Sequence, residues 1–248
     1  MPDAAAAVTR RSKSAPKPVH RDQATRSREA REKLLNASIQ VLLEKGYTGL
    51  TTKEVAQRAG LSIGALMHHY ENKAQLVIAA TAAVYDECLE RARQSADTQE
   101  ALDDPIPLYM ANAMAVYCDW PFIAALEVAV VARTDPTLMT RIRPVMENFW
   151  HQRDELWLHV FADAGYAPDQ ALLALELTLN IVRGLAVHNL WNPMDTGSNV
   201  LLSQWLDVAA RQFPRPQHSR RKFMKGQASR RLQSDVEGAR RPVALERG

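Results

Sequence analysis

Residues 59–73 read AGLSIGALMHHYENK, and the fold turns on how Gly60, Ser62 and Gly64 are understood. The three fit the G-x-S-x-G pattern of a hydrolase nucleophile elbow, in which a strained strand-to-helix turn lifts the serine hydroxyl above a sheet. They also fit a tight turn between two short helices, with Gly60 supplying a positive φ and Ser62 capping a helix through about Tyr70. The preceding segment, TTKEVAQRA at 51–59, decides. Thr51 can accept from the amide three residues on while Glu54 reaches back, the T-x-x-E box that opens a helix from about 52 to 59. No acid and histidine stand out to complete a triad. Two short helices so joined form a helix-turn-helix. Val55, Ala56, Ala59, Leu61 and Leu66 lie on its inner faces, and the outer face of its second helix is left open.

Upstream, Leu35, Ile39 and Leu42 recur at helical spacing and Gly46 is placed to end their helix, which spans about 28 to 45. Downstream, a helix starting near Lys73 carries Leu76, Ala80, Ala83, Val84 and Cys88 along one stripe. Further helices are predicted near 106–118, 121–133, 137–162, 168–191 and 198–212, broken at Pro105, Pro121, Asp135-Pro136, Gly165, Pro168 and Pro193. The chain shows no strand alternation, internal repeat or Gly-rich phosphate loop. The expected fold is all-α, about nine helices, a three-helix unit followed by a larger helical domain.

The charge follows the same division. Residues 1–75 hold 13 Lys/Arg and 7 Asp/Glu, residues 76–213 hold 8 and 18, and residues 214–248 hold 10 and 3. A basic end joined to an acidic middle predicts that only one end meets a polyanion. The arm 1–27 and the tail 214–248 lack a hydrophobic period and are expected to be disordered, leaving 28–75 and 76–213 as the folded parts. Two cysteines, Cys88 and Cys118, make no disulfide framework, and nothing near them lowers a thiol pKa. The N-terminus has no apolar signal core, so a cytoplasmic protein is expected. The apolar stretch 171–191 is interrupted by Glu176, Asn180, Arg183 and His188, which predicts a buried helix and no membrane span.

Arg31 to Leu76, through KLLNASIQVLLEKGY, TTKEVAQRAGLS and IGALMHHYENKAQL, resembles the DNA-binding domain of TetR-type transcriptional regulators. The resemblance implies that the third helix enters the major groove of double-stranded operator DNA. It puts Ser62, Ile63, Gly64, Ala65, His68 and His69 on the groove-facing surface, with Thr51, Thr52 and Lys73 at phosphates beside helix N-termini, where anions are favoured. Adjacent His68 and His69 point in different directions, so at most one touches DNA. The family commonly has a tyrosine where Met67 stands; methionine cannot donate to a phosphate but can touch a thymine methyl, as Ile63 can. The basic arm is either solvated disorder or a minor-groove contact.

The resemblance further implies a homodimer through the helices at 168–191 and 198–212, and a cavity for a small apolar or aromatic effector. The 168–191 segment is apolar nearly all round, through Leu172, Leu175, Leu179, Ile181, Val182 and Leu185, with Gly184 either permitting close approach or merely tolerated. Tyr109, Met110, Met114, Tyr117, Trp120, Phe122, Trp150 and Trp157 suit such a cavity, or ordinary core. Glu127, Arg183 and His188 could orient a ligand or pair across the dimer. No cofactor, metal site or catalytic residue is expected. A hydrolase using Ser62, or a helical interaction module with nonspecific nucleic-acid-binding tails, are the competing readings.

Overall fold

Between Thr52 and His188 the helices start on side-chain caps or prolines, and positive-φ glycines stand within the first helix of the chain (Gly46) and just past the ends of two later ones (Gly60 and Gly165). The computed structural model describes residues 23–192 and 196–215. α1 (Gln23–Gly49) contains a break at Gly46, whose φ of 65° no helix accommodates. α2 (Thr52–Arg58), α3 (Ile63–His69) and α4 (Lys73–Ala96) each begin on a cap: Thr51 accepts from the Glu54 amide (3.2 Å), Ser62 from Ala65 (3.1 Å) and Asn72 from Gln75 (3.0 Å). Between α2 and α3, Gly60 has φ 67°, and a Cβ there would meet nothing within 4 Å. The backbone angle, not lack of space, calls for glycine at that turn.

The chain continues through α5 (Gln99–Asp103), α6 (Pro105–Tyr117), α7 (Trp120–Ala132), α8 (Pro136–Asp163), α9 (Pro168–His188) and α10 (Thr196–Gln212). Proline occupies the first turn of α6 to α9, where its missing N–H has no helical partner to lose. The fold is all-α, with ten helices among the described residues rather than about nine. The addition is α5, one turn capped by Thr98 accepting from Ala101 (3.2 Å), too short to show a period. Residues 23–27, expected in the disordered arm, are the opening of α1. The rest of the arm, 1–22, and the tail from 216 lie outside the described residues.

α1 buries Leu34, Ala37, Ser38, Val41 and Leu42, a stripe one residue off the expected Leu35–Ile39–Leu42, whose first two members are only partly buried. Ser38 can face inward because its hydroxyl donates to the Leu34 carbonyl at 2.6 Å. These residues pack with Val55, Ala56, Leu66, Tyr70, Leu76 and Val77, and with Ala124, Val128 and Ala132 of α7 and Leu138 and Ile142 of α8. The helix-turn-helix is thus closed from below by the larger part of the chain, and no core boundary falls at 75/76. α4 joins the two cores: its Leu76 and Val77 belong to this cluster, its Val84, Tyr85, Cys88 and Leu89 to the other.

α9 alone among the described helices is long and apolar enough to cross a bilayer. It is a core helix of this fold instead: Ala171, Ala174, Leu175, Thr178, Leu179, Val182 and Leu185 are buried, and α10 docks on it through the Trp205 indole N–H donating to Thr178 Oγ1 at 3.1 Å.

Candidate nucleic-acid interface and ligand cleft

On the seven-residue α3 the side chains fall into rows four residues apart. Leu66 and Tyr70 form the inner row, at 0% and 7% exposure, and anchor the helix in the core. Ala65 and His69 are half-buried at its flank, and Ile63, Gly64, Met67 and His68 are exposed on the outside. A Cβ at Gly64 would meet only Ser62 Oγ, at 3.9 Å. Nothing inside the chain therefore requires glycine there, and the bare backbone faces outward. Burial first, then the neighbouring His68 and Arg31, pushes the His69 imidazole below its ordinary pKa. Its ring lies edge-on to His68, centroids 5.4 Å apart.

Ser62, the residue of the hydrolase reading, spends its hydroxyl on the Ala65 amide and follows a helix. That geometry lacks the strand an elbow needs. Thr51 is exposed and Thr52 half-buried at the start of α2. The reciprocal half of the expected capping box is not made: the Glu54 carboxylate pairs with Lys45 (2.7 Å) and Arg58 (3.3 Å), while Arg58 also takes Glu44 in a two-point contact of 2.6 and 2.8 Å. Lys73 is drawn inward. Its Nζ donates to the Thr48 carbonyl at 3.3 Å and lies 4.4 Å from the Tyr47 ring centroid, and burial holds its pKa below the usual value. Reaching a phosphate would require it to leave the Thr48 carbonyl. Lys53 and Gln57, which the sequence reading passed over, stand exposed beside Thr51 around a shallow cleft.

In the larger part of the chain, α6, α8 and α9 flank an open cleft of ≈ 680 Å³, lined by Tyr109, Trp150, Arg153, Asp154, Leu172, Leu175, Glu176, Leu179, Asn180 and Arg183. This is within the size range of small-molecule sites. Its polar wall is built around Tyr117, whose hydroxyl accepts from Arg153 at 2.8 Å and from Arg183 at 3.0 Å. Arg153, only 7% exposed, also pairs with Asp154. Leucines of α9 and the Tyr109 and Trp150 rings supply the apolar walls.

Of the residues the sequence offered for a cavity, Tyr109, Trp150 and Arg183 line this cleft, and Tyr117 stands directly behind it. Trp157 is fully buried core, stacked edge-on to Tyr109 at 5.1 Å, and Met110 is buried in the same cluster. Met114, Trp120 and Phe122 pack against that core and do not line the cleft, Phe122 lying against the Tyr117 ring with centroids 5.4 Å apart. Glu127 is exposed on α7, where its carboxylate accepts from the Tyr47 amide at 3.4 Å. His188 is exposed at the end of α9, against the Asn192 side chain. Arg153, Asp154, Glu176 and Asn180 were not foreseen. Arg153 carried a signal: it occupies a place in the apolar row Phe149–Arg153–Trp157 of α8.

Residues 34–80 match the model of the family described as bacterial regulatory proteins, tetR family. The chain is 33% identical over 196 residues, 79% of its own length and 97% of the relative's, to the HTH-type transcriptional regulator CymR of Pseudomonas putida. A transcriptional regulator from Rhodococcus sp. Rha1 superposes with a TM-score of 0.52 at 26% identity, over 74% of this chain and 95% of that one. The multidrug binding protein EbrR, complexed with imidazole, superposes at 0.53 with 21% identity, over 83% and 100% of the two chains.

Proposed function

The chain belongs to the tetR family of bacterial regulatory proteins, and from that premise we propose a cytoplasmic homodimeric repressor that a small organic effector releases from a palindromic operator. It is a DNA-binding transcriptional regulator and not an enzyme. The observation that carries the operator reading is the outer face of α3: a helix fastened inward by Leu66 and Tyr70 that turns Ile63, Gly64, Met67 and His68 to solvent. Ser62, Ala65 and His69 flank that face, and Thr51, Thr52 and Lys73 supply phosphate contacts that fix its register.

The dimer reading is supported by a second exposed stripe. Leu173, Leu177, Val187 and Trp191 are 46%, 39%, 37% and 70% exposed along α9 and just beyond it. A Cβ at Gly184, in the same stripe, would meet nothing within 4 Å. Val200, Leu201 and Val208 of α10 are likewise exposed. Apolar surface on this scale belongs against a partner. Two copies related by a two-fold axis would set their α3 helices about one DNA turn, roughly 34 Å, apart.

The effector enters between α6, α8 and α9, its apolar body against Tyr109, Trp150 and the α9 leucines and its polar end at the Arg153–Tyr117–Arg183 cluster. α4 is the lever, since one rigid helix holds residues of both cores. An effector preferring the dimer with the wider α3 separation shifts the population away from DNA by its differential affinity.

The test is native mass spectrometry of the full chain with a duplex from its own upstream region, followed by a panel of small organic compounds. Two chains per duplex, and a compound that frees the DNA, support the proposal. One chain per duplex, or a compound that tightens binding, contradicts it.

A further inference from the structure

Ile63 and Met67 are the large apolar side chains exposed on α3, at 48% and 45%. They stand four residues apart and so form one row on the outer face, with Gly64 and His68 in the row beside it. Isoleucine has no hydrogen-bonding atom and methionine only a weak sulfur acceptor, so the row as a whole is poorly suited to the donors and acceptors of a base edge. The major groove of DNA carries one apolar group, the C5 methyl of thymine.

Resting on the DNA-reading role of α3, we propose that Ile63 and Met67 together form a thymine-methyl reader. Each operator half-site then holds thymines opposite this row, chosen over cytosine by apolar contact rather than by hydrogen bonding. The row is continuous with the rest of the outer face, so entry of α3 into the groove brings it to the base edges without rearrangement. Four residues advance a helix by about 6 Å, against about 3.4 Å between successive bases on a strand. The two methyls therefore lie within about two base steps of one another. His68 and the bare backbone at Gly64 stand alongside for polar contacts.

The experiment begins with operator recovered from random duplex DNA by selection on the full chain. Each thymine is then replaced singly by deoxyuridine, which keeps the pairing and O4 and removes only the methyl. The proposal expects affinity to fall about fourfold at one or two positions per half-site, the factor expected for a methylene-sized group leaving an apolar contact. Other thymines should be indifferent. Ile63→Ala and Met67→Ala, both good helix residues at exposed positions, should each bind the thymine and deoxyuridine forms of its own position equally. Deoxyuridine tolerated at every position, with operator still bound, would overturn the methyl reader and leave the DNA reading standing. A methyl effect undiminished in both alanine variants would overturn the assignment to these residues. Failure of the selection to yield any preferred sequence would remove both readings.

Discussion

Tyr117 on α6 accepts a 2.8 Å hydrogen bond from the guanidinium of Arg153 on α8, and Arg183 of α9 meets the same oxygen at 3.0 Å. One phenol hydroxyl thus ties together the three helices around the cleft. Tyr117→Phe removes the shared acceptor and leaves the nearly buried Arg153 with Asp154 alone. The expected loss of stability is about 1.5–3 kcal/mol, the range for a buried bond to a charged group. Urea denaturation checks it; a variant as stable as the parent would mean that water or a side-chain shift replaces the hydroxyl.

Gly46→Ala should be more damaging than an ordinary surface change. Its φ of 65° is left-handed, and the added Cβ would lie 2.7 Å from Glu127 Oε2. With ψ at 179° the backbone lies in a region essentially reserved for glycine, which costs on the order of 1–3 kcal/mol for a residue with a Cβ, and displacing the flexible end of the exposed Glu127 adds a smaller term. Pairing Gly46→Ala with Glu127→Ala should recover the collision part and leave the backbone part. Thermal melting of the four proteins separates the two; no recovery in the double variant would show that Glu127 moves aside freely.

The exposed α9 stripe predicts its own outcome. Leu177→Glu places a charge at a site 39% exposed in the single chain, so the fold should survive while a dimer buried there should not. Light scattering should report one chain instead of two, with unchanged helical circular dichroism. A variant that stays dimeric would move the interface elsewhere.

Burial pushes the Cys88 thiol up to about 11 and raises that of Cys118 as well. The fold keeps Cys88 protonated. The stability linked to it is intact below the unfolded value of 9.0 and is lost as pH rises towards about 11. At neutral pH both thiols should react slowly with iodoacetamide in the folded chain and quickly in urea, since the thiolate is the nucleophile. Rapid labelling of the folded protein at pH 7.5 would contradict the burial seen here.

The helix-turn-helix was legible in the sequence because its determinants are local. Thr51, Gly60 and Ser62 act on residues two or three positions away, and the inward row of α3 follows from Leu66 and Tyr70. The α1 stripe was misread by one position because Ser38 counts as polar until its hydroxyl is seen bonded to Leu34. The tie of Lys73 to Thr48 and Tyr47 was not legible, because it depends on how α4 crosses the end of α1. The cleft was mostly illegible for the same reason. Aromatic residues such as Trp157 and Phe122 look alike whether they line a cavity or fill a core, and only the packing of α6, α8 and α9 sorts them. Arg153 was the recoverable case, a charge inside an apolar row.

Sequence-selective DNA binding by the outer face of α3 is the property on which regulation by this chain depends. The direct measurement is the affinity of the full chain for its own upstream DNA and for scrambled DNA of equal length, at near-physiological salt, for the parent and for Gly64→Glu. Glutamate there sits in the first turn of α3 and favours the helix, and its Cβ meets only Ser62 Oγ, at an ordinary 3.9 Å, so a loss of binding with an unchanged melting temperature reflects the interface. The prediction is saturable binding to one upstream site by the parent, little to the scrambled duplex, and loss of the selective binding in the variant with an unchanged melting temperature. Equal, salt-steep binding of both duplexes by both proteins would contradict it, since that is the signature of charge alone.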